Sequence, residues 1–541
     1  MMSFWGKREQ YGIAHQIVLL FLWAFAIGLI LVRPAEVPPL WFDEGWSLSV
    51  ARNLVDSGTY AQLSLGQPVP ATFLSTGLPG IAPIALSFKL FGVGIWQARL
   101  PGQLFTAATL LLLYLLARKI FNAKVACVSL FVALLMTGAH IHLHPIVLGR
   151  QAIGEIPGLF FLLAGSLCML AGWSNKPWLV APAAIFWSLS LSIKPQTLPF
   201  FVVSLAFPLV VDIIARERRR AGLTTVALVG SLLAYIMWER MPTILFPQEA
   251  LTQTRVGLLL AGIFERRADT MLDMTVVTAL SPHLDALKAS WTVVLPALIG
   301  IGYAFWIAAR QWRTGTQGIT DVQITIFALL CLTTSWMLWW MLLSVGWLRY
   351  LFPSLFFSCM FTAAFLHDLT GGFSLVFVVR RLSDPLISRL RVVWIALLLV
   401  AVILFFVASI TSLRTLYDAY RQGDDNSLEQ LIAFFNEEIP REAIVETFES
   451  ELFFLLNRPY HYPPNEVQIR LNRRTFLKQD VAIDYDPLAA DPQFLVIGPM
   501  AKLWKLYDPI LNDNFFLLIR QIGRYDIYER VPAADISEVG D

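Results

Sequence analysis

Residues 14 to 46 read AHQIVLLFLWAFAIGLILVRPAEVPPLWFDEGW, a long apolar run followed shortly by the adjacent carboxylates Asp43 and Glu44. An apolar run of this length can cross the hydrocarbon core of a bilayer as one helix. The acidic pair lies just beyond the predicted membrane exit, inside the aromatic segment Trp41 to Trp46. Ionisable residues at membrane depth are usually functional. This placement predicts acid or base chemistry at the membrane surface.

The composition of the whole chain is that of an integral membrane protein. Of its 541 residues, 57% are hydrophobic and 15% are charged, and the mean hydropathy is +0.62. Such a balance is far from that of a soluble domain. A net charge of +2 gives no indication of nucleic-acid binding. The four cysteines all lie in apolar stretches, so we expect neither a disulfide framework nor a thiolate metal site.

Apolar stretches long enough to span a membrane recur through residues 1 to 412, and they predict about eleven transmembrane helices. The first lacks a small-residue cleavage site before Arg33, so we expect it to remain as an anchor. The second stretch, 81 to 117, is too long for one helix; its first part is expected to lie at the surface or re-enter, with the span near 100 to 117. The other stretches are 124 to 139, 156 to 172, 178 to 193, 197 to 214, 222 to 239, 291 to 309, 322 to 345, 350 to 366 and 393 to 412.

Basic residues collect in alternate loops between these spans. Because such residues favour the cytoplasmic side, their positions predict a cytoplasmic N-terminus. The opposite face then carries the loop of Asp43, a loop from about residue 240 to 290, and the C-terminal region. The basic groups are Lys7 and Arg8; Arg118, Lys119 and Lys124; Lys176; Arg216 and Arg218 to Arg220; Arg310 and Arg313; and Arg380, Arg381, Arg389 and Arg391.

Residues 413 to 541 have the composition of a small α/β domain, which we expect to lie outside the cytoplasm. Helical periodicity is expected at 428 to 438 and 451 to 456, and strands at 443 to 448, 494 to 498 and, around Gly523, 515 to 528. In the first external loop, Leu48, Ala51, Leu54 and Val55 share one helical face, which predicts a helix in the membrane interface. The chain thus divides at about residue 412.

Four motifs occur in order on the predicted external side. They are Asp43-Glu44 after the first span, Gly149-Arg150 followed by Glu155 before the fourth, Lys194-Pro195 after the fifth, and Arg349-Tyr350-Leu351-Phe352-Pro353 opening the tenth. With these motifs the membrane half, about 410 residues, resembles the membrane glycosyltransferases of the GT-C class. The nearest resemblance is to the branch containing protein O-mannosyltransferases and the bacterial enzymes that transfer 4-amino-4-deoxyarabinose to lipid A.

The resemblance implies inverting transfer of a sugar from a polyprenyl-phosphate donor to a lipid, glycan or protein acceptor outside the cytoplasm. Asp43 matches the first-loop acid that serves as general base in that class. Glu155 matches a second acidic position, where many relatives have Asp. The candidate catalytic residues are Asp43 and Glu44, and the candidates for donor phosphate or substrate are Arg150, Glu155, Lys194, Arg349 and Tyr350.

The residue types fit this chemistry by themselves. Inverting transfer needs a carboxylate to take the proton of the attacking group, and an anionic leaving phosphate needs cations rather than a general acid. Arg offers a planar fork to phosphate oxygens, and Lys offers a movable point charge.

Other interpretations remain open at this stage. Asp43 and Glu44 could cap a helix or hold a divalent cation, Lys194 and Arg349 could be interfacial anchors, and Arg150 with Glu155 could be a structural ion pair. His140, His142 and His144 alternate, which favours a metal site only if the segment is extended. A lipid or glycan transporter is the rival class. Against it, the predicted spans are nearly free of charge and no internal repeat is visible.

Overall fold

A computed structural model describes residues 13–69, 74, 76–135, 138, 140–246, 276–314, 319–344, 346–383, 389–421, 425–476 and 478–531. Lys7, Arg8 and most of the predicted external loop from 240 to 290 lie outside the described residues.

Helices dominate the first part of the chain. A two-stranded antiparallel hairpin, β1 (Gln62–Ser64) and β2 (Gln67–Val69), follows the second helix. In chain order the helices are α1 (Ile13–Leu31), α2 (Phe42–Asp56), α3 (Leu78–Phe91), α4 (Ile95–Ile120), α5 (Ala123–Leu135), α6 (Pro145–Arg150), α7 (Glu155–Ser174), α8 (Val180–Ile193), α9 (Leu198–Ile214), α10 (Arg218–Leu245), α11 (Val276–Thr314), α12 (Asp321–Leu343), α13 (Leu348–Leu369), α14 (Leu375–Leu382) and α15 (Arg389–Arg421).

Within the described residues, nine helices are long and apolar enough to cross a membrane: α1, α4, α7, α9, α10, α11, α12, α13 and α15. The chain is therefore a multi-pass membrane protein, as predicted. The other two predicted spans coincide with α5 and α8, which are apolar but only 13 and 14 residues long. A tight turn at Lys194-Pro195 ends α8. The expected division of the second stretch is also present, since α3 is separate from α4.

The C-terminal region forms the small α/β unit that the sequence predicts. A five-stranded sheet has the order β4-β3-β5-β7-β6, in which β3 is parallel to β4 and β5, and β7 is antiparallel to β5 and β6. Its elements are α16 (Ser427–Glu438), β3 (Val445–Thr447), β4 (Tyr460–His461), α17 (Asn465–Phe476), β5 (Phe494–Ile497), α18 (Pro499–Trp504), α19 (Asp508–Asn512), β6 (Phe516–Ile522) and β7 (Tyr525–Arg530).

The predicted helix at 451 to 456 is wrong. The segment contains one 3-10 turn, Ser450–Leu452, followed by irregular backbone. Leu452, Phe453 and Phe454 are all buried, so the segment has no solvent face to favour an amphipathic helix. It lies against α2 instead.

Helix α2 joins the two parts of the molecule. Its Trp46 ring lies 5.0 Å from the ring of Phe453 and 5.2 Å from that of Tyr462. A Cβ on Gly45 would lie 2.1 Å from the carbonyl oxygen of Ser450, so only glycine allows this approach. The apolar face expected to lie in the membrane interface is therefore covered by protein, with Leu48 completely buried.

Candidate active site

Asp43 and Arg349 form an ion pair that connects two distant helix starts. Asp43 lies in the first turn of α2 and Arg349 in the first turn of α13. Arg349 Nη1 donates to Asp43 Oδ2, and the two side chains are 16% and 26% exposed, respectively. A partly open carboxylate beside a guanidinium is thus available to a substrate.

Aromatic rings hold the Arg349 side chain in place. Its Cζ lies 5.1 Å from the ring centre of Trp347 and 5.2 Å from that of Tyr350. Contacts of this length are favourable cation–π interactions. They hold the guanidinium beside Asp43.

Lys194 and Glu155 form a second ion pair, with Nζ and Oε1 2.8 Å apart. Lys194 is the residue after α8, and its Nζ also donates to the carbonyl oxygen of Ile153 at 2.9 Å. Glu155 begins α7 directly after Gly154, whose φ of +82° is favourable only for glycine. The alternative of a structural ion pair between Arg150 and Glu155 is therefore wrong, since Glu155 pairs with Lys194.

The two ion pairs meet at one cavity. It is partly open to solvent and is lined by Glu155, Lys194, Arg349 and Tyr350 together with Gln196 and Trp336. Asp43 is joined to this lining through its ion pair with Arg349. The charges of Asp43 and Arg349 both act on Lys194. Five of the seven predicted site residues thus come together, although they lie on four different segments of the chain.

Glu44, predicted as catalytic, lies elsewhere. It is completely buried, and its carboxylate is 3.0 Å from Arg99 Nη2 and accepts the backbone N–H groups of Trp41 and Ala152. Both carboxylate oxygens are thus engaged within the protein. We infer that Glu44 fixes the start of α2 and does not contact a substrate.

Arg150, predicted to hold phosphate, instead caps the end of α1. The side chain is completely buried. Its Nη atoms donate to the backbone carbonyl oxygens of Leu29, Val32 and Val37. These include carbonyls at the C-terminal end of a helix, which have no partner within the helix itself. The geometry therefore corrects the assignment of Arg150 from phosphate binding to structural support.

Comparisons with known proteins agree with this architecture. A family described as Dolichyl-phosphate-mannose-protein mannosyltransferase matches residues 81–244. ArnT from Cupriavidus metallidurans, solved bound to undecaprenyl phosphate, is 14% identical with a TM-score of 0.59, covering 96% of this chain and 98% of ArnT. The oligosaccharyltransferase AglB from Archaeoglobus fulgidus, solved with an inhibitory peptide and a dolichol-phosphate, is 13% identical with a TM-score of 0.54, covering 96% of this chain and 75% of AglB. This chain has the GT-C fold. No curated protein sequence gives a match.

The GT-C resemblance predicted from the sequence is thereby confirmed, and the family match and the fold together support a membrane glycosyltransferase. The family match includes Glu155 and Lys194, whereas Asp43 and Arg349 lie outside it. The role of each residue therefore depends on the geometry described above.

The side chains of His140, His142 and His144 do not meet at one point. His144 is completely buried and its Nε2 is 3.1 Å from the carbonyl oxygen of Leu134. The ring of His142 lies 5.9 Å from that of Trp41. Burial, then the nearby His140 and Arg349, lower the pKa of His142 to about 4, so it is neutral at pH 7. In the part of the chain that the structure describes, no three His, Cys, Asp or Glu side chains are grouped as metal ligands.

Two further cavity residues are absent from the sequence predictions. Gln196 lies in the 3-10 turn Pro195–Thr197, and Trp336 lies within α12. The Trp336 indole donates to the carbonyl oxygen of Tyr350 at 2.7 Å. The Lys194-Pro195 motif could have indicated Gln196, but Trp336 is one of many tryptophans in apolar spans and carries no distinguishing signal.

Proposed function

We propose that this protein transfers a sugar from a polyprenyl-phosphate donor to an acceptor outside the cytoplasm, with inversion at the anomeric carbon. The observation that carries the proposal is the convergence of the Asp43–Arg349 and Lys194–Glu155 pairs at one cavity. Support comes from the two solved proteins of the same fold, one bound to undecaprenyl phosphate and the other to a dolichol-phosphate.

In the proposed reaction Asp43 is the general base. The acceptor hydroxyl or amine gives its proton to the Asp43 carboxylate and forms a new bond to the anomeric carbon. The bond from that carbon to the phosphate oxygen breaks, and the phosphate keeps the electron pair. Arg349 and Lys194 offset the negative charge that develops on the phosphate, so no general acid is needed.

The ion pair between Asp43 and Arg349 adds a condition to this scheme. Asp43 Oδ2 accepts a hydrogen bond from Arg349, so this oxygen cannot take the proton of the acceptor while the pair is intact. A donor phosphate offers Arg349 a bidentate alternative partner. Donor binding would therefore draw Arg349 from Asp43 and leave the carboxylate ready for the acceptor.

The proposed orientation follows the basic residues. Arg349 lies at the start of α13, whereas Arg380 and Arg381 of α14 follow its end. The site and this basic segment are therefore at opposite ends of a membrane-crossing helix. Because basic loops favour the cytoplasm, we place the N-terminus inside, and the site and the C-terminal unit outside. Protease added to outer-membrane-permeabilised cells should cleave the C-terminal unit, and its protection would contradict this orientation.

A transfer assay tests the proposal. Purified protein would be given radiolabelled polyprenyl-phosphate sugars and an acceptor-containing envelope extract, and label entering the acceptor would be measured. The parent should transfer label, and Asp43→Asn should be slower by about 10²- to 10⁴-fold, the usual contribution of a positioned base. Asp513→Asn, at an exposed position of the C-terminal unit, should match the parent. Near-normal transfer by Asp43→Asn would overturn the assignment of the base.

A further inference from the structure

Two buried polar groups of the cavity have no role in the proposed reaction. Gln196 Nε2 and Glu155 Oε2 are both shielded from solvent, and neither has a hydrogen-bond partner among the residues that the structure describes. Glu155 as a whole is only 5% exposed. A buried polar group without a partner costs about 1 to 3 kcal/mol. In native structures such groups call for an explanation, such as a catalytic role or a partner that is bound there.

The local backbone fixes the position of Gln196. Lys194 N–H bonds to the carbonyl oxygen of Ser190 as α8 ends, and Thr197 N–H bonds to that of Lys194 at 2.9 Å. Gln196 therefore lies on a tight turn between α8 and α9, two residues beyond the cation assigned to the phosphate. Both side chains line the same cavity.

The unused groups have complementary chemistry. A carboxylate oxygen accepts a hydrogen bond and an amide nitrogen donates one. A sugar hydroxyl can do both, so neighbouring hydroxyls could donate to Glu155 and accept from Gln196. In the donor, the sugar is attached directly to the phosphate that Arg349 and Lys194 would hold. The indole of Trp336 and the ring of Tyr350 supply apolar walls for the same cavity.

We propose that Gln196, together with Glu155, forms a subsite that binds hydroxyl groups of the donor sugar and so contributes to the choice of sugar. This inference rests on the proposed function, because it takes the neighbouring cations as the phosphate site. It assigns to Gln196 a role in sugar recognition that is separate from phosphate binding.

The experiment compares two ligands on the full-length protein. One is undecaprenyl phosphate. The other is an undecaprenyl-phosphate sugar, chosen as the one that the parent binds most tightly among those with mannose, glucose or 4-amino-4-deoxyarabinose. The ratio of the two affinities is the gain due to the sugar. Gln196→Ala and the similarly sized Gln196→Met should each reduce this gain by about 2- to 10-fold, the contribution of one neutral hydrogen bond, and leave undecaprenyl phosphate binding unchanged.

Gln103→Ala is the matched control, because Gln103 is buried on α4 with an unpartnered Nε2 but does not line this cavity. It should leave the gain due to the sugar unchanged. The subsite would be overturned if the Gln196 variants lost affinity equally for both ligands, or lost none. It would also be overturned if the parent bound no undecaprenyl-phosphate sugar more tightly than undecaprenyl phosphate. A parent that fails to bind undecaprenyl phosphate at all would instead contradict the proposed function.

Discussion

Replacing Asp43 with Asn should strengthen binding of undecaprenyl phosphate while it abolishes most of the transfer. The reason is competition, since Asp43 accepts a hydrogen bond from the Arg349 guanidinium that would bind the phosphate. Asparagine keeps the size of the side chain but has no charge with which to hold Arg349. The donor then no longer has to displace a carboxylate.

The magnitude follows from the pair that is broken. A hydrogen bond between charged groups contributes about 1.5 to 3 kcal/mol. The side chains of Asp43 and Arg349 are 26% and 16% exposed, and solvent screening favours the lower end of that range. About 1.4 kcal/mol corresponds to tenfold in a binding constant, so the affinity of Asp43→Asn for undecaprenyl phosphate should rise by roughly tenfold.

Binding would be measured on purified protein by the change in tryptophan fluorescence as undecaprenyl phosphate is added. Asp56→Asn is the control on the same helix, because Asp56 forms an exposed ion pair with Arg52; it should leave the affinity unchanged. If Asp43→Asn bound undecaprenyl phosphate as weakly as the parent, or more weakly, Arg349 would not be shared between base and phosphate, and the proposed order of events would be refuted.

Three further predictions concern the phosphate site, the contact between α2 and the segment at Ser450, and the C-terminal unit. Lys194→Ala should weaken undecaprenyl phosphate binding by about 10- to 100-fold, the loss of one charge-assisted contact. Gly45→Ala should lower the unfolding temperature and slow transfer, because its Cβ would collide with the Ser450 backbone and overpacking costs about 1 to 3 kcal/mol. Burial and the nearby Glu451 raise the pKa of Glu449 above its usual range, so the stability that this group contributes should be lost as pH rises from about 4.3 through the raised pKa. Glu449→Gln should lose less, as thermal unfolding at several pH values would report.

Each of these changes has a control at a comparable residue. Arg218→Ala on the opposite face should not affect undecaprenyl phosphate binding. If Lys194→Ala and Arg218→Ala lost the same affinity for undecaprenyl phosphate, Lys194 would not be part of the phosphate site. Gly222→Ala has open space around its Cβ; if Gly45→Ala were equally harmless, the contact with the C-terminal unit would not be tight. Glu437→Gln, at an exposed position, should follow the pH dependence of the parent, and an unaltered dependence in Glu449→Gln would contradict the raised pKa.

The sequence predicts the fold well because its main determinants are local. Apolar runs and basic loops define the spans, and alternation defines the strands of the C-terminal unit. The contact between α2 and the segment at Ser450 was not predictable, because it joins residues about 400 positions apart. Local pattern alone therefore predicts that α2 lies in the membrane interface.

The site shows the same division. Asp43, Lys194 and Arg349 were predictable as charges on loops that share one face of the membrane. Glu44 was not separable from Asp43 in sequence, yet neighbouring helical residues point about 100° apart, so one faces Arg349 and the other Arg99. In the sequence Arg150 has the charge of a phosphate ligand, but in the structure it donates to the carbonyl oxygen of Val32 just after α1.

The most direct test of the central claim is the identity of the lipid that co-purifies with the protein. Asp43→Asn should bind donor but fail to use it, so mass spectrometry of lipids extracted from the purified variant should detect a polyprenyl-phosphate-linked sugar, enriched over the parent. The mass of that sugar would also identify the donor. If neither protein carried a polyprenyl phosphate, with or without a sugar, and neither bound one when it was added, the proposed transfer from such a donor would be contradicted.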